Sequence, residues 1–326
     1  MNFTRSLLAS SPESLAEQDR ARNLINGSDA ESYAMAKFLL ACRGEGCWGS
    51  REEDNSKIDL IFSFEHPWSK GERSLVLTQV KSGASYGRVS DHGFELKARA
   101  KKLAIRTSHS ICVVWVDRDS NKLFWAYIHP EVSVRNQQYG VHHEVSPATV
   151  FDLARCMSRV NAGTRGAKGL IIRARSSGVT DRRKKVKKAY KSFSTINSPV
   201  LGTIYLTRLA WRHMFRSGRR EENKASSLNI IPYLNRLLIR SPSDHAITES
   251  RRFSSRGFSY QIREHLLKFE GLALSTKDNE NEKDLVAYVR LIEEIKYPNN
   301  WEEKAMLSQQ IERRVVLKSA YYKKKR

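Results

Sequence analysis

Residues 56–83 read SKIDLIFSFEHPWSKGERSLVLTQVKSG. Two short runs rich in Ile, Val, Leu and Phe, at 58–62 and 75–81, flank a polar turn containing Pro67, Lys70 and Gly71. This pattern predicts two buried strands joined as a hairpin. Side chains alternate faces along a strand, so Gln79 and Lys81 point the same way, and Asp59 lies beside them if the strands pair. An acid, an amide oxygen and an ammonium then converge, a set that can hold a divalent cation beside a phosphate. Gln and Lys are costly on a core-facing strand, because burying either unpaired costs on the order of several kcal/mol. Spacing alone leaves open an edge strand with both side chains in water.

Outward from this hairpin, leucines and alanines predict a helix over 12–25, and Asn26-Gly27-Ser28-Asp29 reads as a break and cap. A second helix over 30–41 follows, with Glu31 in its first turn, where a carboxylate complements the helix dipole. Residues 47–56 read as a polar approach containing Glu52, Glu53 and Asp54. Asp59 is preferred over Asp54 as a ligand because it sits inside the apolar run. Beyond Lys81, a loop carries Ser82, Tyr86 and Arg88, and 94–106 reads as a basic helix. Residues 111–116 form a continuous apolar run, expected as a central strand, and 123–128 pairs back on it. Residues 147–160 read as a closing helix. His142 and His143 are adjacent but point apart in most backbones, with no acid at metal spacing.

Asp59 followed by Gln79-Val80-Lys81 resembles the PD-(D/E)XK nuclease superfamily, in the branch where Gln replaces the second acid. Mrr-like restriction endonuclease domains and a related uncharacterised bacterial nuclease-like domain family carry this form. In them a Glu-bearing helix precedes the first strand, and the Lys strand runs into Ser-Gly, a Tyr and a helix. Glu31 and Ser82-Gly83-Ala84-Ser85-Tyr86 match these features. The resemblance spans about residues 25–130. The chain departs from the family at Asp54-Asn55-Ser56-Lys57, where a Gly-rich approach is commoner.

The resemblance implies a restriction-endonuclease-like core, a mixed central sheet flanked by helices, and a metal-dependent endonuclease acting on DNA. Asp59, Gln79, the Val80 carbonyl and Glu31 would hold Mg²⁺ or Mn²⁺, and Asp59, Gln79, Lys81 and Glu31 would form the catalytic set. Gln in place of an acid lowers the negative charge of the site, so metal is expected to bind weakly. Fold analogy points to prokaryotic antiviral defence or a mobile element.

Composition extends the reading to the rest of the chain. At 326 residues with 40% hydrophobic content, two domains are expected, 1–160 and 161–326. No apolar stretch is long enough for a membrane span, and the first 20 residues do not read as a secretory signal. Cys42, Cys47, Cys112 and Cys156 form no paired ligand pattern and read as reduced thiols of a cytoplasmic protein.

The net charge is +22, unevenly spread. Residues 1–160 hold 21 Lys and Arg against 19 Asp and Glu, whereas 161–326 hold 36 against 16. Such an excess predicts a polyanionic partner, most commonly nucleic acid. Arg182, Arg183, Lys184, Lys185, Lys187 and Lys188, close to Tyr190 and Phe193, suit a strand with charges on phosphates and rings on bases. Arg251 and Arg252 form a second basic patch. Residues 199–216, 228–240, 260–269, 284–295 and 301–322 read as helices, giving a mainly α-helical basic C-terminal domain.

The leading expectation is therefore an Mg²⁺-dependent deoxyribonuclease acting on double-stranded or branched DNA, with a homodimer or a defence-system partner protein as further partners. The alternatives are a non-catalytic DNA-binding protein on a nuclease fold and a nuclease subunit active only with a partner.

Overall fold

The hairpin forms as its alternation requires. In the computed structural model, which describes residues 15–49, 58–104, 108–161, 170–173, 179–192, 194–276 and 279–324, β2 (Leu60–Glu65) pairs antiparallel with β3 (Arg73–Ser82). Leu60 lies opposite Thr78 and Phe62 opposite Val76. A short β1 (Glu45–Trp48) adds to the outer edge of β2. On the other side, β6 (Ile111–Asp117) runs parallel to β3, and β7 (Lys122–Ile128) returns antiparallel to β6. The result is a five-stranded mixed sheet in the order β1-β2-β3-β6-β7. All of β6 but its last residue is buried, as a central strand covered on both faces must be.

A single helix, α1 (Leu15–Cys42), precedes the sheet and packs on β2, β3 and β6. The expected break at 26–29 does not occur. An internal Gly costs only about 1 kcal/mol, and Ala30, Ala34, Phe38 and Ala41 bury one face of the helix beyond it. The helix closes at Arg43, whose φ is 53°, with the Gly44 N–H reaching Leu39 O at 3.3 Å, a Schellman-type end. Gly44 is required by close approach, since a Cβ there would lie 2.4 Å from Ser63 O.

The crossover from β3 to β6 holds a second, three-stranded sheet of β4 (Gly87–Ser90), β5 (Gly93–Leu96) and the later β8 (Gln137–Gly140). It continues through α2 (Ala98–Ala104). The helix expected over 94–106 is thus half strand, because Phe94 and Leu96 are pulled into a core with Trp115 and Phe124. Helix α3 (Thr149–Asn161) closes this half and packs against α1.

The C-terminal half corrects the expectation of a mainly helical domain. Its frame is a seven-stranded sheet. The long strands are β12 (Asp244–Ser255), β13 (Phe258–Thr276), β14 (Asn279–Pro298) and β15 (Glu312–Lys324). Short strands β9 (Leu170–Arg173), β10 (Thr195–Ser198) and β11 (Gly202–Tyr205) complete it. Four helices pack on one side: α4 (Val179–Ser192), α5 (Arg208–Met214), α6 (Glu221–Ile230) and α7 (Leu234–Leu238). Segments 260–269, 284–295 and the second half of 301–322 are strands. The physical reason lies in the buried positions of β13, namely Ser259, Gln261, Arg263, His265, Leu267 and Phe269. Four of these six alternate positions are polar or charged, and Glu264 between them is buried as well, so the period of two is masked when polar residues are assumed to face water.

The halves share a core. Ile295, Tyr297, Trp301 and Leu307 pack into the same cluster as Phe38, Val80 and Trp125. Trp68, in the β2–β3 turn, donates from Nε1 to Pro199 O at 2.9 Å. Gly202, at φ 64°, lies so close beneath it that a Cβ would sit 2.7 Å from Trp68.

Beneath these contacts lies a closed ion cluster. Arg155 donates to Asp152 at 2.6 Å and to both Glu293 oxygens at 2.9 and 3.1 Å. Arg263 donates to Asp152 at 2.5 Å, Arg313 to Glu293 at 2.7 Å, and His265 stands 3.1 Å from Glu293. Burial would raise the Glu293 carboxyl, but Arg155 and Arg313 beside it hold it well below the usual carboxylate range. Among the described residues no helix is long and apolar enough to cross a membrane.

Candidate functional site

Asp59 stands where β2 parts from β3. Its backbone still follows the ladder, with its N–H on Thr78 O at 2.9 Å and its carbonyl accepting from Gly49 N–H at 2.9 Å. Two residues further along β3, its carboxylate takes over, and the Val80 N–H donates to Asp59 Oδ2 at 2.7 Å. A carboxylate on a strand N–H at a ladder's end is a sufficient structural reason for an acid here.

Lys81 goes beyond that need. Its ammonium lies 3.5 Å from the same Asp59 oxygen and donates to the Val80 carbonyl at 2.7 Å. The side chains retain 9% and 15% exposure, so the pair is shielded but reachable. Two oxygens of different kinds, a carboxylate and a main-chain carbonyl, thus meet at one point that already holds a positive charge. That donor chemistry fits a hard divalent cation, which favours carboxylate and carbonyl oxygen.

The expected site residues are brought together unequally. Asp59, Val80 and Lys81 converge. Gln79 is on the same strand face as Lys81 and is fully buried, opposite Val113 in the register. Glu31 is half-buried on α1, which packs across β3. It is the seventeenth residue of that helix and not in a first turn, so the dipole explanation for it falls away. Asp54, with Glu52 and Glu53, lies outside the described residues. Among the described residues, no group of three His, Cys, Asp or Glu is placed to hold a metal ion.

The loop after Lys81 is tightly held. Gly83, at φ 80°, accepts from Trp115 Nε1 at 3.0 Å and from Tyr86 N–H at 3.2 Å. Ser82 Oγ accepts from Arg118 at 2.6 Å, and the Arg99 guanidinium stacks 5.1 Å from the Tyr86 ring. Lys97 donates to Ala84 O at 2.5 Å. The sequence reading missed Arg118 as a neighbour of this site. Its signal was the parallel register, which sets Ser82 opposite Val116, two residues short of Arg118. Arg88 is exposed but paired with Glu95 at 2.8 Å.

The basic surfaces of the other half are partly as expected. Arg183, Lys184, Lys185, Lys187 and Lys188 are exposed on α4, and Arg182 is half-buried beside them. Tyr190 is not a platform for bases. It is buried at 4% exposure and donates to Thr207 O at 2.9 Å, because it faces the core on an amphipathic turn. Phe193 lies outside the described residues. Arg251 pairs with Glu249, and Arg252 with Glu144 at 3.1 Å, on the β12 edge. The four cysteines are free thiols.

No protein-family model, no curated protein and no solved structure matches this chain. The class defined by fold and site is therefore a mixed α/β protein with a carboxylate–carbonyl–ammonium constellation at the end of a central hairpin.

Proposed function

We propose that this chain is a metal-dependent endonuclease hydrolysing DNA phosphodiester bonds, with Asp59 and Lys81 at its centre. The observation that carries this reading is the meeting of the Asp59 carboxylate, the Val80 carbonyl and the Lys81 ammonium at one shielded, reachable point. The order of helix, antiparallel meander, helix and parallel strand around it supports the resemblance drawn from the sequence.

Asp59 and the Val80 carbonyl would hold Mg²⁺ or Mn²⁺, with Gln79 and Glu31 as further oxygen donors. A bound divalent ion supplies charge relief at the phosphorus and lowers the pKa of water. Lys81 orients the attacking water and offsets charge developing on the phosphate oxygens. Ser82, Tyr86 and Arg118, fixed around Gly83, position the substrate backbone. The exposed cations of α4 and the β12 edge hold the duplex through its phosphates. Defence against foreign DNA is the biological setting the resemblance suggests.

A second reading, DNA binding without cleavage, is favoured by one feature. Lys81 and the Val80 carbonyl satisfy each other, as they would in a purely structural turn.

One assay separates the two readings. Purified protein, plasmid DNA and Mg²⁺ or Mn²⁺ are combined, and wild type is compared with Asp59→Ala and Lys81→Ala. Each substitution is expected to lower the cleavage rate by roughly 100-fold or more. Equal rates for all three, or none for the wild type, would remove the enzymatic reading.

A further inference from the structure

Helices α4–α7 cover one face of the C-terminal sheet, and among the described residues no core forms on the other. Along β13 and β14, buried residues alternate with half-buried ones that point away from the helices, such as Tyr260, Ile262 and Leu266, or Tyr288, Arg290 and Ile292. Ile262, Leu266, Ile292 and Val316 enter none of the three hydrophobic cores. The open face runs from β12 across β13, β14 and β15 to β11. Apolar surface left accessible over such a width marks a place where something binds.

Rings on this face come in cross-strand pairs. Tyr288 lies opposite Tyr321, with centroids 5.4 Å apart and planes 21° from parallel. Phe253 lies opposite Tyr260, at 5.0 Å and 5°. Ring pairs of this kind strengthen a sheet, which accounts for the stacking. It does not account for the cations gathered around the rings. Lys323 stands 5.9 Å from the Tyr321 centroid, Lys296 4.4 Å from that of Phe258, and Arg314 5.2 Å from that of Tyr205. Arg290 and Lys318 come to the same side of the sheet and share Glu264. From the end of α5 and the turn after it, His213, Arg216 and Arg219 border Lys318 and Tyr321. Burial, Arg216, Lys318 and Arg219 together push the His213 ring below its usual range, with Glu264 opposing them.

Most acids of the face are already engaged. Glu264 holds Arg290 and Lys318, Glu249 holds Arg251, and Glu312 holds Lys296. Glu294 is exposed, opposite Arg314 in the register. Positive charge is therefore left over beside the Tyr288–Tyr321 pair. Parallel rings, accessible apolar surface and surplus cations on one flat face suit an unpaired nucleic-acid strand, whose bases stack on the rings while the cations meet its phosphates. A duplex keeps its bases stacked inside and cannot use the rings. A protein or an anionic membrane would use the cations and the apolar residues without calling for parallel rings.

We propose that the outer face of the C-terminal sheet, centred on Tyr288 and Tyr321, binds single-stranded DNA by stacking its bases. The platform involves neither Asp59 nor Lys81, and only the choice of DNA over RNA rests on the nuclease reading.

Fluorescence anisotropy with the full chain, in the presence of a metal chelator to prevent cutting, tests it. The probes are a labelled oligothymidylate, an abasic strand of the same length, oligouridylate RNA and duplex DNA. The intact DNA strand is expected to bind roughly tenfold more tightly than the abasic one. Tyr321→Ala should weaken the intact strand by about tenfold and leave the abasic strand and the duplex unchanged, whereas Tyr321→Phe should bind as wild type. Should Tyr321→Ala not fold, Lys323→Glu, exposed on β15, should weaken the intact strand severalfold with an unaltered melting curve. Equal binding of intact and abasic strands, or a folded Tyr321→Ala that binds the intact strand as wild type does, would overturn the proposal. Much tighter binding of the RNA would overturn the assignment to DNA. Absence of plasmid cleavage with the preference for the intact strand preserved would remove the nuclease reading alone.

Discussion

Two carboxylates in this molecule meet cations, and they do so differently. Glu293 is fully buried, and both of its oxygens are taken by Arg155, Arg313 and His265, with Arg263 at 3.5 Å. Asp59 meets the Lys81 ammonium and the Val80 N–H, with part of the Asp59 and Lys81 side chains still exposed. The first arrangement is saturated, and its task is to lock α3 onto three strands. The second retains access, which suits a site where something binds and reacts. Pairing charges is therefore not itself the mark of function here. What distinguishes the two is whether the acid is sealed in the core or keeps a path to solvent.

Breaking the saturated cluster should produce the largest effect. Glu293→Ala leaves three arginines facing one another in a dry core, and its cost is expected at about 3–5 kcal/mol. Urea unfolding of that variant beside Asp59→Asn checks the comparison, since Asp59→Asn keeps an acceptor for the Val80 N–H and should cost about 1 kcal/mol or less. Similar losses for the two would erase the distinction.

Acid should also act on the buried seam first. His143 takes its proton near 4 when folded but near 6.5 when unfolded. As pH falls, protons therefore bind the unfolded chain before the folded one. This ring's contribution is complete above about 6.5 and is lost between 6.5 and 4, a loss of about 3 kcal/mol. Unfolding free energies at pH 7 and pH 4.5 should show this decline, and His143→Gln should make it shallower, the remainder coming from the buried rings of His142 and His265.

The hairpin and the meeting of Asp59 with Lys81 were legible because the strands there obey a simple period and the unusual residues interrupt it. The helix over 30–41 was legible for the same reason, although its upstream continuation through Gly27 was not, since tertiary burial of Ala30 and Phe38 outweighs a local break. The C-terminal sheet was hidden by its own chemistry. Arg263, His265 and Glu293 occupy core positions only because Asp152, Arg155 and Arg313 arrive from other parts of the chain. No local window contains both members of those pairs.

The smallest effect belongs to the exposed basic surface. Replacing Lys184, Lys185 and Lys187 of α4 by Ala should leave stability nearly unchanged and weaken DNA binding evenly across sequences. It should also lower the salt dependence of binding by about two to three ion equivalents. Titrations of labelled duplex DNA at several salt concentrations would measure that change.

The most direct test of the contrast between the two acids is a single time course. Closed circular DNA is incubated with Mg²⁺ or Mn²⁺ and either wild-type protein or Asp59→Asn, both verified as folded by thermal melting. The account expects nicking or linearisation by the wild type and a rate lowered by roughly 100-fold in the variant, with melting temperatures within a few degrees. Undiminished cutting by Asp59→Asn would contradict it.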